Sequence, residues 1–226
     1  GRRPTQDCKM TSAPPSAPPP RTVEPPRMDT SSAELARRHR VWPWIVTAAA
    51  LLPILAVNQY FSHHRSDETD AWLFAYYGRE LLRGARLYAD LWDNKPPLMY
   101  WFNAAALWLG GGSLAAVRAA CAAVVLAAAA MIFLSARRLY GPWPACAVTV
   151  VAVMHLTLDY YHVGTDRPET LLVLFELATF YWYVRAETGS VRRAAVLVAC
   201  GMCAGLSFCS KQIGLATAGA IVLHTI

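Results

Sequence analysis

Residues 114–135 read LAAVRAACAAVVLAAAAMIFLS, and this stretch decides the fold. It is almost entirely apolar and carries a single charge, on Arg118. A helix needs about 20 such residues to cross the hydrocarbon core of a bilayer. The adjacent pair Arg137 and Arg138 follows the stretch, and basic residues collect on the cytoplasmic side of membranes. We therefore predict a membrane span that ends in the cytoplasm.

Other apolar runs lie on both sides of this one, and flanking charges set their direction. Residues 41–61 follow Arg37-Arg38-His39-Arg40, which predicts a signal anchor with a cytoplasmic N-terminus. Downstream we predict three further complete spans and a truncated one, at 143–161, 170–184, 194–208 and 213–226. Because the last run stops abruptly, we expect the chain to be the N-terminal part of a longer membrane protein.

Two shorter stretches of the first external loop are predicted to lie on the membrane surface. Residues 98–109 are apolar but number only 12, too few to span, and Gly110-Gly111-Gly112 ends them. If residues 98–109 crossed the membrane, Arg137 and Arg138 would lie on the outer side, against the preference of basic residues for the cytoplasm. Residues 71–84 read as an aromatic-rich helix that ends at Gly84.

The composition divides the chain into two parts. Hydrophobic residues make up 55 % of the chain and charged residues 16 %, against about 25 % charged in soluble domains. Eight of the 15 prolines precede Met28. We predict a disordered, proline-rich cytoplasmic tail over 1–40 and a transmembrane domain over 41–226. The net charge of +6 arises mostly in the tail and cytoplasmic loops, so no nucleic-acid partner is expected.

Acidic residues gather in the loops that the spans place outside. The first loop contains Asp67, Glu68, Asp70, Glu80, Asp90 and Asp93, and the next external turn contains Asp166 and Glu169. Each has a plain structural interpretation, because acids favour helix N-termini and Thr165 or Asp166 would cap the next span. Lys95 and Lys211 would likewise snorkel to the interface. Glu176 lies inside a span, where it either pairs with Arg118, is protonated, or is functional.

An ordered set of motifs in the first loop carries a resemblance. Its members are the pair Asp67-Glu68, the surface helix, Gly84-x-x-x-Tyr88-x-Asp90, and Lys95-Pro96-Pro97-Leu98-x-Tyr100-Trp101. The set resembles the C-type glycosyltransferase superfamily, in particular bacterial relatives of protein O-mannosyltransferases and of lipid A aminoarabinose transferases. The resemblance covers about residues 41–215.

This resemblance implies a fold, a reaction and a site. The fold is an all-α polytopic membrane protein, a transmembrane helix bundle whose extracytoplasmic first loop carries interfacial helices. The reaction is inverting transfer of a sugar from a polyprenyl-phosphate donor to a hydroxyl of a glycan, lipid or protein acceptor. Asp67 and Glu68 would be catalytic, Lys95 and Lys211 would bind the donor phosphate, and Asp166, Glu169 and Tyr100 are substrate-binding candidates.

Location and cofactors follow in the same way. The resemblance implies a bacterial inner or plasma membrane with an extracytoplasmic active site. No metal is expected, because His155, Asp159, His162 and Asp166 lack the tight spacing of a zinc signature, although some relatives bind a divalent ion. Two other functions remain open at this point: a secondary transporter or flippase, and a non-catalytic membrane fragment. A transporter would show an internal repeat, and the sequence has none.

Overall fold

The structure is a computed structural model that describes the backbone of residues 30–64, 69–157, 165–189 and 193–225. Side chains are described at 41–60, 71–157, 165–189 and 194–225. Within these ranges the chain is helical and has no strand. The helices are α1 (Thr30–His64), α2 (Thr69–Leu82), α3 (Leu98–Leu109), α4 (Leu114–Tyr140), α5 (Pro142–Leu156), α6 (Pro168–Thr188), α7 (Arg193–Ser210) and α8 (Ala216–Thr225).

Helix α1 begins before the predicted domain boundary at residue 40. The boundary between the two compact units of the chain falls within α1, between Arg37 and Arg38. Residues 1–29, which contain most of the predicted tail, lie outside the described residues. The division of the chain into a tail and a membrane domain stays a prediction.

Two of the described helices are long and apolar enough to cross a membrane: Val41–Tyr60 within α1, and Leu114–Tyr140. Only 17 % and 39 % of their most apolar windows are buried inside the protein, so their apolar side chains face outward. A core helix of a soluble protein would be mostly buried. The predicted fold class, an all-α bundle of membrane helices, is confirmed. The full number of spans stays a prediction. Helices α5, α7 and α8 are shorter, and α6, which contains the predicted span 170–184, is not among the helices that are both long and apolar enough.

Helix α1 packs against α4 and α5 through an apolar cluster. Leu51 lies against Val125, Ile132 and Val153, and all four are buried. Polar groups in this region bond within the protein, as membrane surroundings require. Thr47 Oγ1 donates to the Pro43 carbonyl oxygen at 2.7 Å. This packing fixes the anchor helix to the bundle.

The surface helices α2 and α3 pack tightly on each other, and both agree with the predicted stretches. Phe74 of α2 and Tyr100 of α3 are fully buried, with ring centroids 5.7 Å apart. The close approach depends on Gly78, where a Cβ atom would lie 2.8 Å from the backbone nitrogen of Ala104. Pro97 precedes α3 and Gly110 follows it, so the helix has the bounds that these residues predict.

Helix α6 is the centre of the second half of the bundle and packs on α4, α7 and α8. It begins at Pro168, whose fixed φ suits the first helical position. The N-terminus of α6, the C-terminus of α7 and the loop before α3 lie at the same end of the bundle, as the contacts below establish. The candidate site is at this end.

Candidate functional site at one end of the bundle

The loop between α2 and α3, residues 83–97, is held in shape by its own polar groups. Tyr88 has a positive φ of 67°, and its backbone nitrogen donates to the Leu91 carbonyl oxygen at 2.7 Å. Arg86 donates to both carboxylate oxygens of Asp90, which lowers the pKa of Asp90. Asp90, the acid of the Gly-x-x-x-Tyr-x-Asp motif, therefore braces this turn.

Two tyrosines tie the loop to the surface helices. The Tyr88 hydroxyl donates to the Lys95 carbonyl oxygen at 2.6 Å, and the Tyr77 hydroxyl donates to that of Trp92 at 2.9 Å. Burial raises the pKa of Tyr88, as do Asp93 and the nearby Cys209 thiol of α7. The loop therefore lies within electrostatic range of the C-terminal end of α7, where Lys211 follows.

Lys95 is half-buried beside an aromatic ring. Its ammonium lies 4.8 Å from the centroid of Phe74, within the range of a cation–π contact. Phe74 is itself fully buried between the surface helices. The charge of Lys95 is thus drawn toward the protein, which differs from simple snorkelling into the interface.

Tyr100 is fully buried, and its hydroxyl donates to Asp93 Oδ2 at 2.7 Å. Burial raises the pKa of Tyr100, and the bond to Asp93 adds to that shift, so the phenol is neutral at physiological pH. Its hydroxyl already has a partner. Tyr100 therefore fixes Asp93 at the end of the loop, and its candidate role in substrate binding is indirect.

Asp166 joins the turn before α6 to helix α3. Its Oδ1 accepts a hydrogen bond of 2.8 Å from Asn103 Nδ2, which also donates to the Met99 carbonyl oxygen. The N-cap residue of α6 is Arg167, and its side chain makes no capping bond. Asp166 therefore lies before the helix and does not share a helical face with Glu169.

Glu169 and Lys211 form an ion pair that connects the start of α6 to the end of α7. Lys211 Nζ lies 2.6 Å from Glu169 Oε1. Burial is the largest single influence and works to raise the pKa of Glu169. The hydrogen bond from Lys211, the backbone hydrogen bond of Glu169 and the charges of Lys211 and Arg167 together outweigh it, so the pKa falls below its usual 4.5. A carboxyl with a depressed pKa stabilises the fold fully above its unfolded value. The contact is therefore complete above about pH 4.5 and is lost as the pH falls through the lower folded value.

The predicted catalytic pair, Asp67 and Glu68, lies outside the described residues. The other five candidates are described. Lys211 and Glu169 contact each other. Lys95, Tyr100 and Asp166 contact Phe74, Asp93 and Asn103, respectively. Asn103 was not predicted, although a lone amide in the apolar helix LMYWFNAAALWL is a usable signal. Among the described residues no three His, Cys, Asp or Glu side chains converge as a metal site would require.

Glu176 lies deeper in α6, two turns from Glu169. Its carboxylate accepts hydrogen bonds from Ser207 Oγ at 3.1 Å and from the backbone nitrogen of Thr217 at 3.1 Å, and the Thr217 hydroxyl donates to it as well. The carboxylate of Glu176, which the sequence predicts to lie within a span, is therefore hydrogen-bonded by both α7 and α8.

These observations define the class as an all-α membrane protein with a charged site at one end of its helix bundle. A family model described as dolichyl-phosphate-mannose-protein mannosyltransferase matches residues 94–225, and the chain belongs to this family. The protein is a mannosyltransferase-like membrane glycosyltransferase. The matched region starts beside Lys95 and includes Lys211. Searches of curated proteins and of solved structures gave no match.

Proposed function

We propose that this protein transfers a sugar from a polyprenyl-phosphate donor to a hydroxyl of an extracytoplasmic acceptor, with inversion at the anomeric carbon. The acceptor oxygen forms a bond to that carbon while the bond from the carbon to the phosphate oxygen breaks. The hydroxyl proton passes to a carboxylate, and the polyprenyl phosphate leaves as an anion. The protein must therefore supply a base on one face of the sugar and cations on the other.

The observation that carries the proposal is the convergence of charged groups from three parts of the chain at one end of the bundle. The loop before α3 contributes Lys95, the start of α6 contributes Glu169, and the end of α7 contributes Lys211. Asn103 and Asp166 bond α3 to the turn before α6. A lipid phosphate at the membrane boundary would meet this end of the bundle.

The two lysines suit the leaving phosphate. An ammonium group has three hydrogen-bond donors, and Lys211 uses one of them on Glu169. The side chain of Lys211 is 41 % exposed, so a phosphate can approach it. Lys95 is ordered by the Phe74 ring, which leaves its charge in place at the base of the loop. Both cations are pre-organised, and this lowers the cost of stabilising a departing anion.

We assign the base to Asp67, with Glu68 as its partner. Both immediately precede α2, which begins at Thr69 and carries Phe74, the ring beside Lys95. In the sequence, the two acids therefore stand directly before the helix whose Phe74 ring contacts Lys95. A carboxylate next to a low-dielectric membrane binds its proton more tightly, which makes it a better base.

The proposal extends to the cellular setting. The reaction takes place at the outer face of a bacterial inner or plasma membrane, with the tail of residues 1–40 in the cytoplasm. The acceptor is a glycan, lipid or protein of the envelope, and an envelope glycan is preferred. Asp166, and Asp93 with Tyr100, are assigned to the acceptor as positioning groups, whereas Glu169 positions Lys211 at the donor phosphate.

The test uses the protein in liposomes with radiolabelled mannosyl-polyprenyl phosphate and an envelope extract as acceptor. Asp67→Asn removes the base and should lower transfer by about a hundredfold or more, the usual contribution of general base catalysis. Glu187→Gln, the same chemical change at the opposite end of α6, is the control and should leave transfer unchanged. Normal transfer by Asp67→Asn would refute the assignment of the base.

A further inference from the structure

Glu176 binds two helices that lie on either side of Lys211 in the sequence. Ser207, in the last turn of α7, donates to Glu176 Oε1 at 3.1 Å. Thr217, in the first turn of α8, donates to Oε2 from its backbone nitrogen and its hydroxyl. A carboxylate within a membrane span is costly, and such residues are functional candidates by default. The three hydrogen bonds that Glu176 accepts indicate what its role is.

The first task is to cap helix α8. The first backbone N–H groups of any helix lack intrahelical partners. In α8, Ala216 N donates to the Ile213 carbonyl oxygen and Gly219 N to that of Leu215, whereas Thr217 N donates to Glu176. An acceptor with negative character at this end also complements the helix dipole. A residue of α6 thus supplies the cap that α8 lacks in its own sequence.

The second task concerns the turn that carries Lys211. The Ser207 side chain donates to Glu176, and the Ser207 carbonyl oxygen accepts from the backbone nitrogen of Lys211 at 3.1 Å. Gly214 then presses on the same residue, because a Cβ atom at Gly214 would lie 2.3 Å from the Ser207 carbonyl group. Residues 207–217 are therefore folded around Ser207 and tied to Glu176 at both ends.

Glu169 and Glu176 contact different parts of the segment 207–217. They are two turns apart on α6, about 10 Å along its axis. Glu169 binds the Lys211 ammonium directly, whereas Glu176 binds the segment on either side of Lys211. Helix α6 therefore holds both the ammonium group of Lys211 and the backbone segment that carries it.

We propose that Glu176 is a positioning residue that holds the segment 207–217 against α6 and so keeps Lys211 at the donor phosphate. The inference rests on the proposed function for the role of Lys211. Glu176 itself does not touch the substrate. Its removal is expected to impair donor use through Lys211 and to leave acceptor use unchanged.

The kinetic test is a double-mutant cycle on the protein in liposomes, with mannosyl-polyprenyl phosphate as donor. Glu176→Ala should raise the donor KM about tenfold, the effect of losing one charge-assisted contact, and should change the acceptor KM less than twofold. Glu176→Gln retains an oxygen that can accept from Thr217 N and should stay near wild type. In a Lys211→Ala background, Glu176→Ala should have no further effect on the donor KM. Independent, multiplicative effects of the two changes would overturn the proposal, as would an equal rise in acceptor KM.

A second measurement separates this inference from the proposed function. Amide hydrogen exchange over residues 212–219 should be faster in Glu176→Ala than in wild type, and unchanged in Glu176→Gln, without any substrate present. If Lys211→Ala leaves the donor KM unchanged, the phosphate assignment fails while exchange still decides the role of Glu176. Unchanged exchange in Glu176→Ala refutes it. Should Glu176→Ala not fold, Thr217→Val removes one donor at similar volume, and exchange in that variant decides the question in the same way.

Discussion

Lys95 and Lys211 are both held by the protein, but by different physical means. Lys211 is paired with the Glu169 carboxylate, whose pKa lies below its usual value, so this carboxylate is charged at neutral pH. Lys95 lies against the face of Phe74, whose quadrupole attracts the ammonium without neutralising it. Both ammonium groups are therefore held in place before a phosphate arrives, Lys95 beside a ring and Lys211 beside a carboxylate.

The proposed contact between Lys95 and the donor phosphate predicts the outcome of replacing Lys95. Lys95→Ala removes one charged contact to the phosphate, worth about 1.5–3 kcal/mol, and should raise the donor KM by at least about tenfold. Lys95→Arg keeps the charge and the ring contact and should recover most of the loss. Initial rates at varied donor and fixed acceptor would measure both. Equal changes in donor KM and acceptor KM for Lys95→Ala would argue against a phosphate contact.

Candidate site residues could be proposed from the sequence where a motif marks them, whereas contacts between residues far apart in the chain could not. The order of acids, Lys95 and the two prolines was readable in the sequence. The bonds of Asp166 to Asn103 and of Glu176 to Thr217 join positions 63 and 41 residues apart. No local pattern encodes such pairs, so Asp166 was equally compatible with a helix cap.

At the scale of helices, the contact between α2 and α3 depends on one missing side chain. A Cβ atom at Gly78 would lie 2.8 Å from the backbone nitrogen of Ala104 and 2.9 Å from the carbonyl carbon of Asn103. Backbone atoms cannot move aside as a flexible side chain would. The surface helices can therefore approach this closely only if residue 78 is glycine.

Gly78→Ala should consequently destabilise the protein. Overpacking of this kind costs about 1–3 kcal/mol, and a lower midpoint of thermal unfolding in detergent would report it. Gly201→Ala is the matched control, because a Cβ atom there meets nothing within 4 Å. Alanine within helix α7 should raise the midpoint slightly, by its better helix propensity. If Gly78→Ala unfolds at the wild-type midpoint, the inference that close packing of α2 on α3 requires glycine at position 78 is wrong.

Helix bounds were predictable where proline or glycine residues flank the helix. Helix α3 has the predicted bounds because Pro97 and Gly110 flank it. Helix α4 continues to Tyr140, beyond the predicted end at residue 135, because Arg137 and Arg138 are good helix formers at a favourable C-terminal position. The end of an apolar run predicts where a helix leaves the hydrocarbon core of the membrane. The hydrogen-bonded helix itself can continue beyond that point.

At the scale of the whole molecule, the fold class followed from apolar runs alone, whereas the direction of each span rests on charge. Arg137 and Arg138 lie in the last turn of α4, at the end opposite its start after Gly110-Gly111-Gly112. Helix α3, which follows the loop of residues 83–97, packs on the first half of α4 through Leu107 against Val117 and Cys121, and Trp92 of the loop is 77 % exposed. If basic clusters stay in the cytoplasm, this loop and the candidate site face outward.

Cysteine labelling tests that orientation directly. In a background with the six native cysteines replaced, Ser66→Cys and Trp92→Cys should react with a membrane-impermeant maleimide on intact cells. Tyr140→Cys, which is 68 % exposed beside the arginine pair, should react only after the membrane is permeabilised. Exposure at both positions means that lack of reaction reports sidedness and not burial. Labelling of Tyr140→Cys on intact cells, with Trp92→Cys protected, would invert the topology. The donor site would then face the cytoplasm, and an extracytoplasmic acceptor could not be reached.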